Sequence, residues 1–535
     1  MFKPSAATWR ARDKSIQASP PNMQSKRRYH MAKKPAAYQV IRNGRILDFD
    51  SRNIDNADIL IKEDTIKEIG RSGMEAPADA VVVDAKNQLV IPGLVNAHTH
   101  GQGSLAKGMG DQWSLELLLN ALPWVGGGFT LEDKRTAALL NAAEMVLKGC
   151  TAAYDMYFEF PFPSIDGIAA IGNAYAEIGV RVVLAPMMSD TKLFDAIPGL
   201  FDALPKEHQQ KVEKMRIATS DENINICKAL LHQWPFDRLK VSPALGPTIP
   251  LHCSDGFIGA CRDLALEYDI GVHMHLAESK VQAVSGIKRY GKTLTRYLDD
   301  QGLIGPKFTG AHCIWLDQDD FKLMRDNGAS IAHNPGSNLR LGSGIAPVRQ
   351  MIDSGINLGL GTDGSASADN QNVFEAMRMA SFVSRLVTHD PAEFLSTWEV
   401  LAMATNGSSS VMGWGDTIGR IAPGYKADLV FLDLDNVNFV PLNNAANQII
   451  NCEDSSAVDS VMIGGRMVLS GRRFTEFDYQ KLCGDAQSIV DRLSLANKDI
   501  KATMDAMVPF VAQHCIGLAC EPYHVHRKLD YTNEV

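Results

Sequence analysis

Four apolar runs of this chain each end in a side chain able to bind a metal: His98 and His100 in VNAHTH, His275 in GVHMHLAE, His312 in FTGAHC and Asp363 in NLGLGTDG. Continuous apolar runs of this length read as buried parallel strands, so each terminal residue falls where strand meets loop, at the rim of one sheet. The two histidines of HTH are separated by one residue. Because a strand repeats every two residues, both rings lie on the same face and can grip one ion. A third imidazole and a carboxylate would nearly complete the shell of a first-row metal of borderline softness and leave room for a water. An open position of that kind belongs to catalysis, not to a structural site.

The elements that must position these residues follow from the spacing. From His275 to His312, to Asn334 in ASIAHNPGSN, and on to Asp363 the intervals are 37, 22 and 29 residues, about the length of a βαβ repeat. Eight candidate strands occur in order: LVIPGLVNAHTH, GCTAAYDMYF, GVRVVLAPMMSD, LKVSPALGPTI, GVHMHLAES, FTGAHCIW, ASIAHNPG and NLGLGTDGS. Amphipathic helical patterns such as LEDKRTAALLNAAEMVLKG and PVRQMIDSG separate most of them. That alternation predicts an α/β fold, a (β/α)8 TIM barrel, in which C-terminal strand ends converge on one pocket. The long stretch from Thr191 to Asp237 is expected to fold over the mouth as a helical lid.

Beta-rich segments flank the barrel on both sides. YQVIRNGRILDFD, ADILIKEDTIKEIG and AVVVDAKNQLVIPG precede it, and GRIAPGYKADLVFLDLDN and DSVMIGGRMVLSGRR follow it. Their similar composition pairs them as one small β-sandwich built from both ends of the chain. The expected division is a disordered basic tail over 1–35, the first part of the sandwich over 36–92, the barrel over 93–415, the second part of the sandwich over 416–480 and a helical C-terminal extension over 481–535. The first 34 residues carry nine Lys or Arg and a single acid, Asp13. They read as an unfolded tail, or as translation upstream of a working start at Met23 or Met31, rather than as an Arg-rich targeting peptide.

Composition narrows the function. The 535 residues are 45% hydrophobic and 21% charged, ordinary for a soluble globular protein. A net charge of −9 and a pI near 5.9 give no general attraction to nucleic acid or to an anionic membrane, so a small-molecule substrate is favoured. No apolar stretch reaches the length of a membrane span. The nine cysteines are scattered, odd in number and without a CxxC pair, which predicts reduced thiols and a cytoplasmic location.

VIPGLVNAHTH, HMHLAES, GAHC, HNPGSNLRLGSG, GLGTDGSASADN and GRIAPGYKADLVFLDLD together resemble the amidohydrolase superfamily, in particular the branch holding S-adenosylhomocysteine deaminases, guanine deaminases and triazine hydrolases. The likeness runs from about residue 38 to 470. It implies one divalent metal, zinc or else Fe2+, held by His98, His100, His275 and Asp363. It implies further that Glu278 shuttles a proton to the substrate, that His312 polarises the attacking oxygen, and that Asp363 doubles as the base toward water. The activity implied is metal-dependent hydrolysis of a non-peptide C–N bond, foremost deamination of a purine-, pterin- or triazine-like ring, with amide, urea or cyclic amide hydrolysis as the alternative. A homo-oligomer is implied as well.

Two departures from the family pattern bear on substrate and metal count. Where relatives often carry Met or Gln and then Arg after HxH, this chain has Gly103 and Lys107, and the glycine is expected to enlarge the pocket floor. Dinuclear relatives carry a bridging lysine at the end of the fourth strand, where this chain reads SPALGP. Gln102, Lys107, Trp113, Asn334, Asn338 and Arg340 are the candidates for touching substrate; the last three serve equally as braces for the loop after strand seven. His273 is expected either behind the metal ligands or in the pocket wall.

Rival readings come from other classes. A non-catalytic scaffold of the same fold would have lost its ligands. GIKRYGKT fits the P-loop pattern but lacks a strand leading into its first glycine. The tail residues His514, Cys515, Cys520, His524 and His526 have no finger-like spacing and read as free side chains on a closing helix.

Overall fold

The computed structural model describes residues 35–49 and 51–528, so nearly all of the expected basic tail, with Met23 and Met31, lies outside the described residues. Eight parallel strands carry the chemistry: β1 (Leu94–Thr99), β2 (Cys150–Phe158), β3 (Arg181–Met188), β4 (Val241–Pro247), β5 (Gly271–Leu276), β6 (Phe308–His312), β7 (Ser330–His333) and β8 (Asn357–Leu360). They pair in sequence order, and every residue of β1, β3, β6 and β7 is buried. Strands covered on both faces need no polar alternation, which is why their sequences are continuous apolar runs. These are the eight strands expected from the sequence.

Closure between β1 and β8 is made by the ends of the strands. The Asp363 N–H donates to the His98 carbonyl at 2.9 Å, and the Thr362 N–H donates to Asn96 Oδ1 at 3.0 Å. A Cβ at Gly361 would fall 2.2 Å from Asn334 Oδ1 and 2.9 Å from His98 Cβ. Glycine in GLGTDG is therefore what lets the last strand approach the first.

Ten strands from the two chain ends form a separate curled sheet. The strand Leu429–Asp433 pairs antiparallel with Gln88–Pro92, joining late sequence to early. The sheet closes on a core of Ile41, Ile59, Ile61, Val90, Leu429 and Phe431. This is the small β-domain built from both ends that the sequence pattern implies. It is tied to the barrel by Arg181, whose Nε and Nη2 donate to the two carboxylate oxygens of buried Asp428 at 2.7 and 3.2 Å.

The mouth is covered differently from the expectation. Helix α1 (Leu115–Val125), α2 (Leu131–Leu147) and α3 (Ser220–His232) follow β1, β1 and β3 respectively. Only the front of the 191–237 segment lies over the mouth, in the short helices Leu193–Ala196, Leu200–Ala203 and Lys206–Lys214; α3 packs beside the helices Ile165–Ile178 and Asp255–Tyr268 of the outer ring. The rest of the cover is the C-terminal extension. Its helix α4 (Tyr479–Ala496) packs on α2, and α5 (Lys498–Cys520) lies along α1. Phe194, Leu200 and Val212 meet Met504, Met507 and Val511 in a hydrophobic cluster there.

Among the described residues no helix is long and apolar enough to cross a membrane. All nine cysteines are free thiols, as the odd, scattered set predicts. GIKRYGKT starts inside the helix Lys280–Tyr290, which ends at left-handed Gly291, so it has no strand-to-loop entry and cannot cradle phosphate as a P-loop does. Of the tail residues, His514 contacts the Pro198 carbonyl at 2.9 Å and His524 pairs with Asp317 at 2.7 Å; they do not form a metal cluster.

Candidate metal centre

The ends of β1, β5, β6 and β8 converge. His98 Nε2 and His100 Nε2 lie 3.5 and 3.3 Å from Asp363 Oδ1, and His100 Nε2 lies 3.1 Å from His275 Nε2. The outer nitrogens of two of these rings are already committed: His100 Nδ1 donates to the Met156 carbonyl at 2.6 Å and His275 Nδ1 to the Thr248 carbonyl at 2.7 Å. A carbonyl only accepts, so each Nδ1 carries a proton and each Nε2 is the nitrogen left to offer a lone pair. Two lone pairs facing each other at 3.1 Å repel unless a cation sits between them. The fixed tautomers and the donor set of imidazoles plus carboxylate fit a divalent metal.

Electrostatics point the same way. Burial pushes His98 down to about 4, against the raising effect of Asp363. Burial also holds His275 well below the usual histidine range, helped by the neighbouring imidazoles. For Asp363 burial acts upward, but the adjacent His98 ring and the charges of His100, His98 and His312 outweigh it and hold the carboxyl well below its ordinary range. Neutral imidazoles and an ionised carboxylate are the forms that bind metal.

Glu278 and His312 face the same space. His312 Nε2 lies 3.7 Å from Glu278 Oε2 and 3.9 Å from Asp363 Oδ2. His312 Nδ1 lies 2.9 Å from Asn338 Oδ1, which fixes its ring in the same way. Burial first, then the charges of Asp363 and Glu116, push the Glu278 carboxyl well above the ordinary range. Three of these strand ends turn through the left-handed region: Ala277 has φ 47°, His312 φ 69° and Asp363 φ 63°. Non-glycine residues held there cost about 1–3 kcal/mol each and are typical of functional sites. Two overlapping groups, His98–His275–His312 and Glu278–His312–Asp363, also bring ligand atoms within 4.8 Å of one another.

A cleft of about 560 Å³, counting the space open to solvent, reaches this cluster and is lined by His100, His275, Glu278 and Asp363 at one end and by Leu115, Leu118, Leu119 and Leu122 of α1 along its side. Gln102 lines it and also accepts the Phe158 N–H at 3.1 Å. Gly103 lines it too, but a Cβ there would meet Ser365 N at 3.1 Å. The glycine thus serves a close backbone approach as well as the wall.

The other candidates for substrate contact stand elsewhere. Lys107 pairs with Glu144, Trp113 packs edge-on against Trp124 at 6.2 Å, and Arg340 binds Asp369 at 2.8 Å and the carbonyl of Asp111 at 2.7 Å. None of the three lines the cavity. Asn338 holds His312, while Asn334 is fully buried with neither amide atom paired. His273 lies stacked on His98, 4.8 Å between ring centres, behind a ligand and outside the cavity wall, the first of its two expected places.

Several supports were invisible in the sequence. Gln371 Nε2 donates to the Asp363 carbonyl at 2.8 Å while its Oε1 accepts from Thr362 and Thr99 at 2.6 and 2.8 Å. Buried Asp155, raised by burial to about 6, accepts the Gly101 N–H at 2.9 Å just after His100. The carbonyls of Met156 and Thr248 leave no side-chain signal; Asp155 in an otherwise apolar strand was the one clue.

Eight parallel strands with imidazoles and a carboxylate gathered at their C-terminal ends define a barrel hydrolase of the metal-dependent class. Residues 89–468 match the amidohydrolase family, and the chain belongs to it. It is 33% identical over 445 residues to the 5′-deoxyadenosine deaminase of Methanobrevibacter smithii, covering 82% of this chain and 94% of the relative. It is 32% identical over 443 residues to the 5-methylthioadenosine/S-adenosylhomocysteine deaminase of Syntrophomonas wolfei, covering 82% and 95%. Among solved structures, an adenosine deaminase from Xanthomonas campestris with bound zinc superposes with a TM-score of 0.76 at 26% identity, covering 85% of this chain and 98% of that one. The atrazine chlorohydrolase of Arthrobacter aurescens complexed with zinc gives 0.75 at 26% identity, covering 84% and 99%.

Proposed function

We propose that this chain hydrolytically deaminates an aminated purine of the adenosine type, with one divalent metal, zinc, held by His98, His100, His275 and Asp363. The observation that carries the reading is the meeting of this donor set with a buried carboxyl, Glu278, whose pKa burial and neighbouring acids push well up, at the end of one cavity. The names of the curated relatives, deaminases of 5′-deoxyadenosine and of 5-methylthioadenosine, favour a purine over a pterin or triazine. When bound, the metal supplies a water acidified toward neutral pH.

The side chains account for the remaining proton movements. Glu278, kept in its acid form, gives its proton to the ring nitrogen beside the amino-bearing carbon. His312 donates its Nδ1–H to Asn338, so Nε2 is an acceptor that orients an O–H of the attacking water. Asp363, ionised, takes a proton from that water and passes it to the departing amine. Oxygen replaces nitrogen on the ring carbon, the C–N bond breaks and ammonia leaves, and the proton remaining on the new oxygen returns to Glu278 as the ring carbonyl forms. The leucines of α1 keep bulk water from the ring and strengthen each of these interactions.

Ammonia release from adenosine, 5′-deoxyadenosine, guanine and an aminotriazine tests the reading on one preparation, with and without a chelator. Release from the adenosines that stops on metal removal is the expected result. Release from none of the rings, or release indifferent to the chelator, would sink it.

A further inference from the structure

Helix α1, which walls the cleft, carries one acid, and that acid is buried. Glu116 is 4% exposed and stands next to Leu115 of the wall, yet it does not itself line the cleft. An acid in a first turn suits a helix start, but that role needs neither burial nor a partner on another element. Glu116 has both. Ser114 Oγ donates to its Oε2 at 3.0 Å, and Ser279 Oγ, from the far side of the mouth, donates to its Oε1 at 2.6 Å. These partners are hydroxyls and not cations, so the fold bears the cost of burying a carboxylate without an opposite charge.

The long-range partner is the residue after Glu278. Ser279 Oγ also accepts the Gln282 N–H at 3.1 Å as the cap of helix Lys280–Tyr290, and Gln282 Oε1 accepts the Glu278 N–H at 3.0 Å. The chain enters this turn through Ala277 in the left-handed region, φ 47°, a conformation that persists only where the surroundings over-determine it. Glu116, Ser279 and Gln282 therefore hold the backbone on both sides of the Glu278 side chain. Glu278 Oε2 has no partner of its own, so the place of the carboxyl depends on the backbone beneath it.

We propose that Glu116 is a positioning residue for the reaction: by accepting the Ser279 hydroxyl it keeps the turn, and with it the Glu278 carboxyl, where its proton reaches the substrate ring. This rests on the deaminase reading and adds a link between the helix that walls the cleft and the acid at its end. Because α1 also supplies the leucines of the wall, a shift of this helix would open the cleft and misplace the acid together.

The test is ammonia release from adenosine and 5′-deoxyadenosine by the metal-loaded full chain. Glu116→Met keeps the volume without the acceptor, and Glu116→Ala replaces it if the thioether does not fold. Small misplacements of a reacting group cost up to about a hundredfold, and the variant is expected to lower kcat by at least about tenfold with KM and metal content little changed. Glu116→Gln retains an acceptor for Ser279 and should recover most of that rate. Ser279→Ala should show the loss as well, and adding Glu116→Met to it should cost nothing more. In a Glu278→Gln background, where no proton is carried, Glu116→Met should also make no further difference; a general loss of stability would lower both backgrounds alike. A kcat of the folded variant within about twofold of the wild type would overturn the proposal. So would a loss that persists undiminished in the Glu278→Gln background, or a Gln variant as slow as the Met variant, which would assign the effect to charge alone. If no ring releases ammonia, the deaminase reading fails and amide hydrogen exchange over residues 277–283 decides the link. Faster exchange in Glu116→Met, restored in Glu116→Gln, supports it, and equal exchange in all three proteins overturns it.

Discussion

His312 Nε2 and Glu278 Oε2 lie 3.7 Å apart, both buried, and neither has a hydrogen-bond partner among the described residues. Unpaired buried polar atoms are destabilising, by about 1–3 kcal/mol each. Two of them facing one space, at the metal-capable end of a cavity, are better explained by a ligand that completes them than by folding.

Glu278→Gln keeps shape and hydrogen bonding and removes the proton. We expect kcat to fall at least about a hundredfold with metal content unchanged. The pH profile carries a second signature. Burial, with Asp363 and Glu116, raises the Glu278 pKa, so its acid form persists above the ordinary carboxyl range, and activity should decline as pH rises through the raised value. That alkaline limb should be missing from the residual activity of the variant. Metal content and kinetics on one preparation decide it: lost metal makes Glu278 a ligand, and unchanged kcat makes it a bystander.

His275→Ala and Asp363→Ala each remove a proposed ligand. Turnover should vanish and metal content should drop, while circular dichroism stays that of the folded barrel, because a catalytic metal does not hold the core together as a zinc finger's does. Near-normal activity with full metal in either variant would show the ligand set to be wrong.

The expectation of one metal rests on β4, which reads VSPALGP and ends at Pro247 without a lysine. Elemental analysis should find one divalent ion per chain. A reproducible value near two would mean that another group bridges a second ion.

The barrel was legible because a parallel strand buried on both faces must be an apolar run, and a ligand at its end interrupts that run where it can be seen. The curled sheet was legible from composition shared by the two chain ends. Less could be read where a residue's partner is set by the path of a loop. Lys107 and Arg340 follow the motifs closely in sequence, yet the 3₁₀ turn Gly101–Ala106 carries Lys107 to Glu144. Helix Pro335–Arg340 likewise turns Arg340 onto Asp369. The C-terminal helix was visible as a helix, but its seat on α1 depends on surfaces no local pattern records.

Arg181 offers a test of the joint between barrel and curled sheet. Its guanidinium grips Asp428, whose side chain is 1% exposed and also accepts the Gly464 N–H at 2.7 Å. Arg181→Met preserves bulk but strands a buried carboxylate, which typically costs about 3–5 kcal/mol. Denaturant unfolding should show that loss, while kcat of the folded fraction stays the same. A loss under about 1 kcal/mol would mean that water reaches Asp428 and the pair behaves as a surface bridge.

Arg527 straps the C-terminal segment across the loop that carries His312. Its Nε donates to the Ile314 carbonyl at 2.9 Å, its Nη2 donates to the Leu316 carbonyl at 2.7 Å, and its own carbonyl accepts the Ile345 N–H at 2.6 Å. Gly344, with φ 133°, makes room: a Cβ there would fall 2.8 Å from the Arg527 carbonyl oxygen. The clamp thus joins the loop after β6, where His312 and Cys313 hold left-handed angles of 69° and 52°, to the segment just beyond Asn338, which orients the His312 ring. Each charged hydrogen bond of this kind is worth about 1.5–3 kcal/mol. Losing part of that from the loop should let His312 leave its reactive orientation. We expect Arg527→Ala to lower kcat by roughly tenfold with KM and metal content little changed, and Arg527→Lys, which keeps the charge but one donor point, to recover only part of it. If thermal stability falls while kcat of the folded enzyme does not, the strap holds the tail in place and has no influence on His312.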